Sequence, residues 1–97
     1  MLAIFLQLSY IASMNNRHRK TLDEIFAEPT KPNIAWTDIE ALLRAVDCAV
    51  KEGAGSRVRF KMGNEILLIH RPHPQKETKE YVVRAVREFL IKIGVKQ

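Results

Sequence analysis

The sequence predicts a small α+β fold in the order αβββα, a sandwich in which two helices cover one face of a three-stranded antiparallel sheet. The hydrophobic period is helical before Cys48, strand-like between residues 49 and 70, and helical again after Thr78. Glycine-containing turns at 53–55 and 63–64 divide the middle region into three short runs. The chain has 97 residues, enough to bury one modest core, so we expect one folded domain, over 34–97.

Residues 1–13 are expected to lie outside that domain. They are apolar, but the charges of Arg17, Arg19 and Lys20 follow them, whereas a secretory signal carries its positive charge first. The run is also too short to span a bilayer, so we expect neither targeting nor a membrane partner. Because Met14 offers a second start, we interpret residues 1–13 as an upstream extension that is disordered or not native.

Residues 14–33 form an N-terminal segment with one short accessory helix, predicted over 21–27. Thr21 and Glu24 have the spacing of a capping box, and Pro29 ends the helix.

The first helix of the domain is predicted to follow the linker 30–33. Thr37 and Glu40 again have capping-box spacing, and Asp38 adds a first-turn charge that the helix dipole favours. Apolar residues then recur at the helical period, which gives one buried face formed by Ile39, Leu42, Leu43 and Val46. Trp36 is expected to fold over the start of this helix.

Three strands are predicted at 49–52, 57–62 and 65–70. In the middle strand apolar and basic residues alternate, so one face meets the core and the other presents Arg57, Arg59 and Lys61. The third strand is apolar at every position from 66 to 69, so we expect it to be central or covered on both faces.

The closing helix is predicted between Thr78, a candidate N-cap, and Gly94, which stands where a left-handed C-cap belongs. Its apolar positions follow the helical period and comprise Val82, Ala85, Val86, Phe89, Leu90 and Ile93.

The positive charge is concentrated in the second half of the chain. Residues 1–48 carry a formal charge of −1 and residues 49–97 carry +6, which gives a net charge of +5. A focused basic surface favours a polyanionic partner, most often nucleic acid, because bound phosphates release counterions. An acidic protein partner, or a charge retained only for solubility, would fit the same composition.

Other chemistries find little support in the sequence. The single cysteine, Cys48, has no partner for a disulfide or a zinc site and is expected to be a buried core residue in a reducing cytoplasm. There is no phosphate-binding glycine loop and no nucleophile elbow. We therefore expect no metal and no organic cofactor.

The order of these motifs resembles the HicA toxins of bacterial toxin–antitoxin systems over residues 34–95. The shared features are Gly55-Ser56 before the middle strand, His73-Pro74 after the third, and a basic helix ending in Ile93-Gly94-Val95. The resemblance implies a fold like double-stranded RNA-binding domains, cleavage of messenger RNA without a metal ion, and a HicB-like antitoxin partner.

The resemblance also implies a departure at one position. In the family a histidine credited with catalysis usually follows Gly-Ser, and this chain has Arg57 there. Arginine stays protonated, so it can hold a phosphate but cannot act as a general base. The candidate catalytic residues are therefore His73 first, His70 second, and Arg57 for charge stabilisation. The predicted RNA contacts are Arg57, Arg59, Lys61, Arg71, Lys76 and Lys79.

Three functions remain open at this point. The first is a cytoplasmic mRNA-cleaving toxin of a type II toxin–antitoxin system. The second is a non-catalytic RNA-binding module, in which His70 and His73 only shape the turn. The third is a basic protein bound mainly to an acidic antitoxin.

Overall fold

The computed structural model describes residues 14–73 and 76–95, and the extension 1–13 lies outside them. The described residues form three helices and one sheet. The helices are α1 (Asn16–Ile25), α2 (Trp36–Ala45) and α3 (Glu80–Lys92). The strands are β1 (Ala49–Glu52), β2 (Arg57–Met62) and β3 (Glu65–His70). This is the predicted α+β arrangement, and the bounds of all three strands are as predicted.

The sheet is an antiparallel meander with β2 in the centre. Gly55 and Gly63 both have positive φ, of 64° and 59°, so the turns that flank β2 occupy the conformation that glycine adopts at least cost. The cross-strand register places Phe60 opposite Val50 and Leu67, all on the helical side of the sheet.

The core lies between this face of the sheet and the helices. The indole of Trp36 packs edge-on against the ring of Phe60 at a centroid distance of 6.3 Å, which joins α2 to β2. The apolar faces of α2 and α3 are buried against the same cluster. Helix α3 packs against β3, and α1 packs against both other helices. The helices therefore cover one face of the sheet and leave the other open.

The accessory helix begins earlier than the sequence indicates. Asn15, not a residue at 21, caps α1: its side chain accepts a hydrogen bond from the His18 amide. Thr21 lies inside the helix, is buried, and donates its hydroxyl proton to the Arg17 carbonyl at 3.0 Å. The predicted capping box is wrong because this polar threonine packs inward within a helix that has already started.

The predicted caps of the other two helices are also wrong, Thr37 by two residues and Thr78 by one. Helix α2 starts after Ala35 and α3 after Lys79, and neither start has a side-chain cap. Thr78 is instead fully buried, and its backbone N–H donates to the Ile34 carbonyl at 2.8 Å, which pins the start of α3 to the start of α2. At the other end of α3, Gly94 has the predicted left-handed conformation, with φ of 90°.

The prediction for the third strand is wrong. β3 lies at an edge of the sheet, and its open face is uncovered, since Leu68 is 73% exposed and Ile66 is 48% exposed. Its apolar composition therefore does not indicate burial on both faces. It adds two aliphatic side chains to a surface that is otherwise basic.

Candidate nucleic-acid interface

The open face of the sheet collects cations from two adjacent strands. In β2 the alternation places Arg57, Arg59 and Lys61 on this face, as predicted. The register adds Lys51 of β1, which lies directly opposite Arg59. We define these four residues as the basic face.

No cation of the basic face forms an ion pair with another described residue. Lys51 and Arg59 are cross-strand neighbours of like charge, an arrangement that destabilises a sheet. A fold gains nothing from such a pair by itself. An anionic partner would relieve the repulsion between Lys51 and Arg59.

The imidazole of His70 lies at one end of the basic face. His70 is the last residue of β3 and is directly opposite Arg57, and its Nδ1 lies 3.4 Å from the Ser56 hydroxyl. Ser56 belongs to the turn before β2, and its carbonyl accepts a hydrogen bond from the Arg71 amide at 2.7 Å. The end of β3 and the start of β2 thus bring an imidazole, a hydroxyl and a guanidinium together.

A groove runs along this end of the sheet. Arg57 and His70 line it, together with Lys51 and Arg59 of the basic face and the exposed Leu68. The remaining lining residues are Glu52, Gly53, Val58 and Ile69. The groove places three cationic side chains and an imidazole on one open surface.

The other predicted site residues lie in the segment between β3 and α3, His73 as a candidate catalytic residue and Arg71, Lys76 and Lys79 as RNA contacts. His73, Lys76 and Lys79 are exposed in the segment between β3 and α3, and the His73 carbonyl accepts a hydrogen bond from the Lys76 amide. Arg71 is not exposed in the same way: its guanidinium binds Glu40 of α2 and Glu52 of β1. Its charge is already neutralised within the fold.

Glu40 is held ionised by its donors. Partial burial alone would raise the pKa of Glu40, but the hydrogen bonds from Arg44, Arg71 and Trp36 outweigh burial and hold the pKa of this carboxyl below its usual value. In the sequence, Glu40 has only the spacing of a capping box with Thr37. Its actual role depends on Arg71, 31 positions along the chain, so no local pattern could indicate it.

The remaining chemistry-bearing groups offer little for catalysis. Burial, and then the charge of Asp47, raise the pKa of the Cys48 thiol to about 11, so it stays protonated at neutral pH. Residues 14–73 and 76–95 contain no group of three histidine, cysteine or acidic side chains placed to hold a metal ion. Within the same ranges, every helix is too short or too polar to cross a membrane.

Comparison with protein-family models identifies the family of this chain. A family model described as the HicA toxin of bacterial toxin–antitoxin systems matches residues 36–95, which include α2, the whole sheet and α3. Neither the curated proteins nor the solved structures contain a significant match. Helix α1 lies outside the matched region, although Leu22 and Ile25 on it are buried in the core.

Proposed function

Because this chain belongs to the HicA toxin family of bacterial toxin–antitoxin systems, we propose that it binds and cleaves messenger RNA and thereby inhibits translation. In this proposal a HicB antitoxin holds the toxin inactive, and both act in the cytoplasm. The observation that supports RNA binding most directly is the basic face, whose four cations form no ion pair with another described residue and include a like-charged pair across β1 and β2.

RNA contacts are assigned to the basic face, with Lys76 and Lys79 extending them beyond the sheet. Phosphate oxygens would remove the repulsion between Lys51 and Arg59 and release counterions, so affinity should fall steeply with added salt. Leu68 offers an apolar surface in the same groove, which suits the face of an unpaired base better than the outside of a duplex.

The cleavage step is assigned to the end of the groove. A general base takes the proton from the 2′-hydroxyl, the 2′-oxygen attacks the adjacent phosphorus, and the bond to the 5′-oxygen breaks as a general acid protonates that oxygen. His70 and His73 are the proposed proton-transfer groups, and Arg57 stabilises the charge that develops on the phosphate. His70 lies beside the Ser56 hydroxyl and opposite Arg57. We therefore assign His70 as the proton-transfer group nearest the reacting phosphate.

A non-catalytic RNA-binding module is the second candidate. Arg57 favours it, since the family resemblance leads us to expect a histidine there and arginine cannot act as the base. Both candidates predict RNA binding, and they differ only in whether the bound RNA is cut.

Incubation of the purified full chain with 5′-labelled messenger RNA, in the presence of a chelator, separates the two. We expect cleavage by the wild type. His70→Ala should lower the cleavage rate roughly 10²–10⁴-fold, the usual range for a lost acid or base, with nearly unchanged RNA affinity. Arg57→Ala should weaken both binding and cleavage.

Arg84→Ala is the matched control, since Arg84 is an exposed cation on α3 that pairs with Glu80 and lies outside the groove. It should bind and cleave like the wild type. Intact RNA with a wild-type protein that still binds would contradict the nuclease assignment and leave the binding module. Cleavage that survives the double substitution of His70 and His73 would mean that the proton-transfer groups lie elsewhere.

A further inference from the structure

Arg71 fixes the beginning of the segment between β3 and α3 to two other elements. Its Nε and Nη2 donate to the two carboxylate oxygens of Glu40 at 2.9 and 3.1 Å, and its Nη1 donates to Glu52 Oε1 at 2.7 Å. The pairing with Glu40 is bidentate, which fixes the plane of the guanidinium as well as its position. The residue immediately after β3 is thereby tied to α2 and to β1.

Glu40 is itself rigidly held. Its Oε1 accepts a hydrogen bond from Trp36 Nε1 at 2.8 Å, and the Trp36 side chain is buried against Phe60 in the core. Arg44, one turn further along α2, donates to Oε2 at 2.9 Å. The carboxylate therefore holds the Arg71 guanidinium at a fixed position relative to the core.

The backbone of Arg71 also connects the end of β3 to the turn beside the groove. Its N–H donates to the carbonyl of Ser56, which fixes the end of β3 against the turn before β2. His70 directly precedes Arg71, and its ring lies beside the Ser56 hydroxyl and opposite Arg57. Arg71 is therefore connected to the imidazole through the chain and to Ser56 through a backbone hydrogen bond.

We propose that Glu40, assisted by Glu52, is a positioning residue that acts through Arg71 to hold His70 and Ser56 in register with Arg57. Glu40 lies on the helical side of the sheet and does not line the groove. It therefore affects the cleavage rate through the geometry of the groove and not through RNA binding. The kinetic part of this inference rests on the proposed nuclease function, and the structural part does not.

The test is Glu40→Gln in the full chain. Glutamine keeps the shape of glutamate, but it has one acceptor oxygen and no charge, so it cannot accept the fork of two hydrogen bonds from Arg71. We expect kcat for RNA cleavage to fall about ten- to a hundredfold, as a small misplacement of reacting groups produces, while KM changes by less than about twofold. In nuclear magnetic resonance spectra, the His70 ring signals should shift and the Arg71 amide should exchange faster with solvent. Arg71→Lys, which keeps the charge and loses the fork, should show the same changes.

Arg84→Gln is the control, since Arg84 is an exposed arginine of α3 that pairs with Glu80 and has no ion pair with Glu40 or Glu52. It should match the wild type in kcat, in the His70 signals and in Arg71 exchange. If Glu40→Gln does not fold, Glu52→Gln decides, because Glu52 is exposed and forms an ion pair with Arg71. It should change the same signals in the same direction, though less.

A folded Glu40→Gln protein with unchanged His70 signals and unchanged Arg71 exchange would overturn the inference. A rise in KM at constant kcat would also overturn it, because it would place the network in RNA binding. If the wild type cuts no RNA, the proposed nuclease function fails. The spectra alone then decide whether Glu40 positions His70.

Discussion

On the helical side of the sheet, arginine side chains are fixed by carboxylates and carbonyls, whereas on the open side they form no ion pairs among the described residues. Arg87 of α3 donates to the carbonyls of Ile25 and Ala27 at the end of α1, and Arg71 binds two glutamates. Arg57 and Arg59 have no such partners. The same residue type therefore contributes to the fold on one side and is available to an anionic partner on the other.

The apolar residues of β3 differ in the same way. Leu67 is 6% exposed and packs in the core, while the adjacent Leu68 is 73% exposed on the open face. The free energy gained by burial depends on the area removed from water, so only Leu67 stabilises the isolated protein. The comparison separates residues that maintain the structure from residues that a partner would cover.

The largest expected effect concerns these two leucines. Leu67→Ala should lower the free energy of unfolding by about 2–5 kcal/mol, because it removes buried methyl groups and leaves a cavity. Leu68→Ala should change it by less than about 0.5 kcal/mol, as is usual for surface positions. Urea denaturation of the two variants measures both values. Equal losses would show that the open face is covered in the isolated protein, which would remove the distinction between the two sides.

The second effect compares one arginine from each side. Arg87 is 14% exposed in its side chain and has four acceptors, so Arg87→Gln should destabilise the protein by about 2–3 kcal/mol by leaving carbonyls unsatisfied. Its RNA affinity should not change while the protein is folded. Arg59→Gln should leave stability unchanged or slightly higher, because it relieves repulsion with Lys51.

For the same Arg59 variant, the dependence of RNA affinity on salt is the decisive measurement. If Arg59 contacts one phosphate of a single strand, the slope of log affinity against log salt should become shallower by about 0.7. An unchanged slope, with unchanged affinity, would exclude Arg59 from the RNA interface.

The smallest effect is the response to acid. The pKa of Glu40 is below its usual value in the folded state. As the pH falls through about 4.3, the ordinary pKa of a glutamate, this carboxylate therefore binds protons more readily in the unfolded chain than in the folded protein. Its contribution to stability is full above that pH and is lost as pH falls through the lowered, folded-state pKa. Glu40→Gln should lack this component, which for a partly exposed ion pair is on the order of 1 kcal/mol.

The measurement is the free energy of unfolding of the wild type and of Glu40→Gln at several pH values between 7 and 2. Subtracting one from the other leaves the contribution of Glu40, because the other carboxylates affect both proteins nearly equally. The difference between the two free energies of unfolding, the gap between the two curves, should become smaller as the pH falls. A constant gap would mean that Glu40 stabilises the fold by packing alone.

Local pattern was sufficient for the bounds of the three strands. Alternation in 57–62 and the turn glycines determine strand bounds and which side chains share a face, because both depend on neighbours within a few positions. The basic face was predictable for the same reason, apart from Lys51, whose place required the register of β1 against β2. Gly94 was predictable because few residues other than glycine end a helix with a positive φ.

The starts of the helices were not predictable from capping motifs. Thr21, Thr37 and Thr78 each have a residue pattern that suits an N-cap, yet none of them caps a helix in the fold. Burial of Thr21 and Thr78 in the core, and the hydrogen bond between residues 78 and 34, decide these positions instead. A capping preference of about 1 kcal/mol is smaller than the packing of a whole helical face.

The amino-acid sequence by itself determined the α+β class, the three strands, the alternation that separates Arg57 and Arg59 from the core, and the proximity of His70 to the basic residues. Only the tertiary structure decided that β3 is an edge strand, that Arg71 and Arg87 are bound within the fold, and that Glu40 connects the core to the end of the groove. The first set depends on the chain's local period and turn chemistry. The second depends on which distant segments meet, since an ion pair or an edge exists only once strand order and helix packing are fixed.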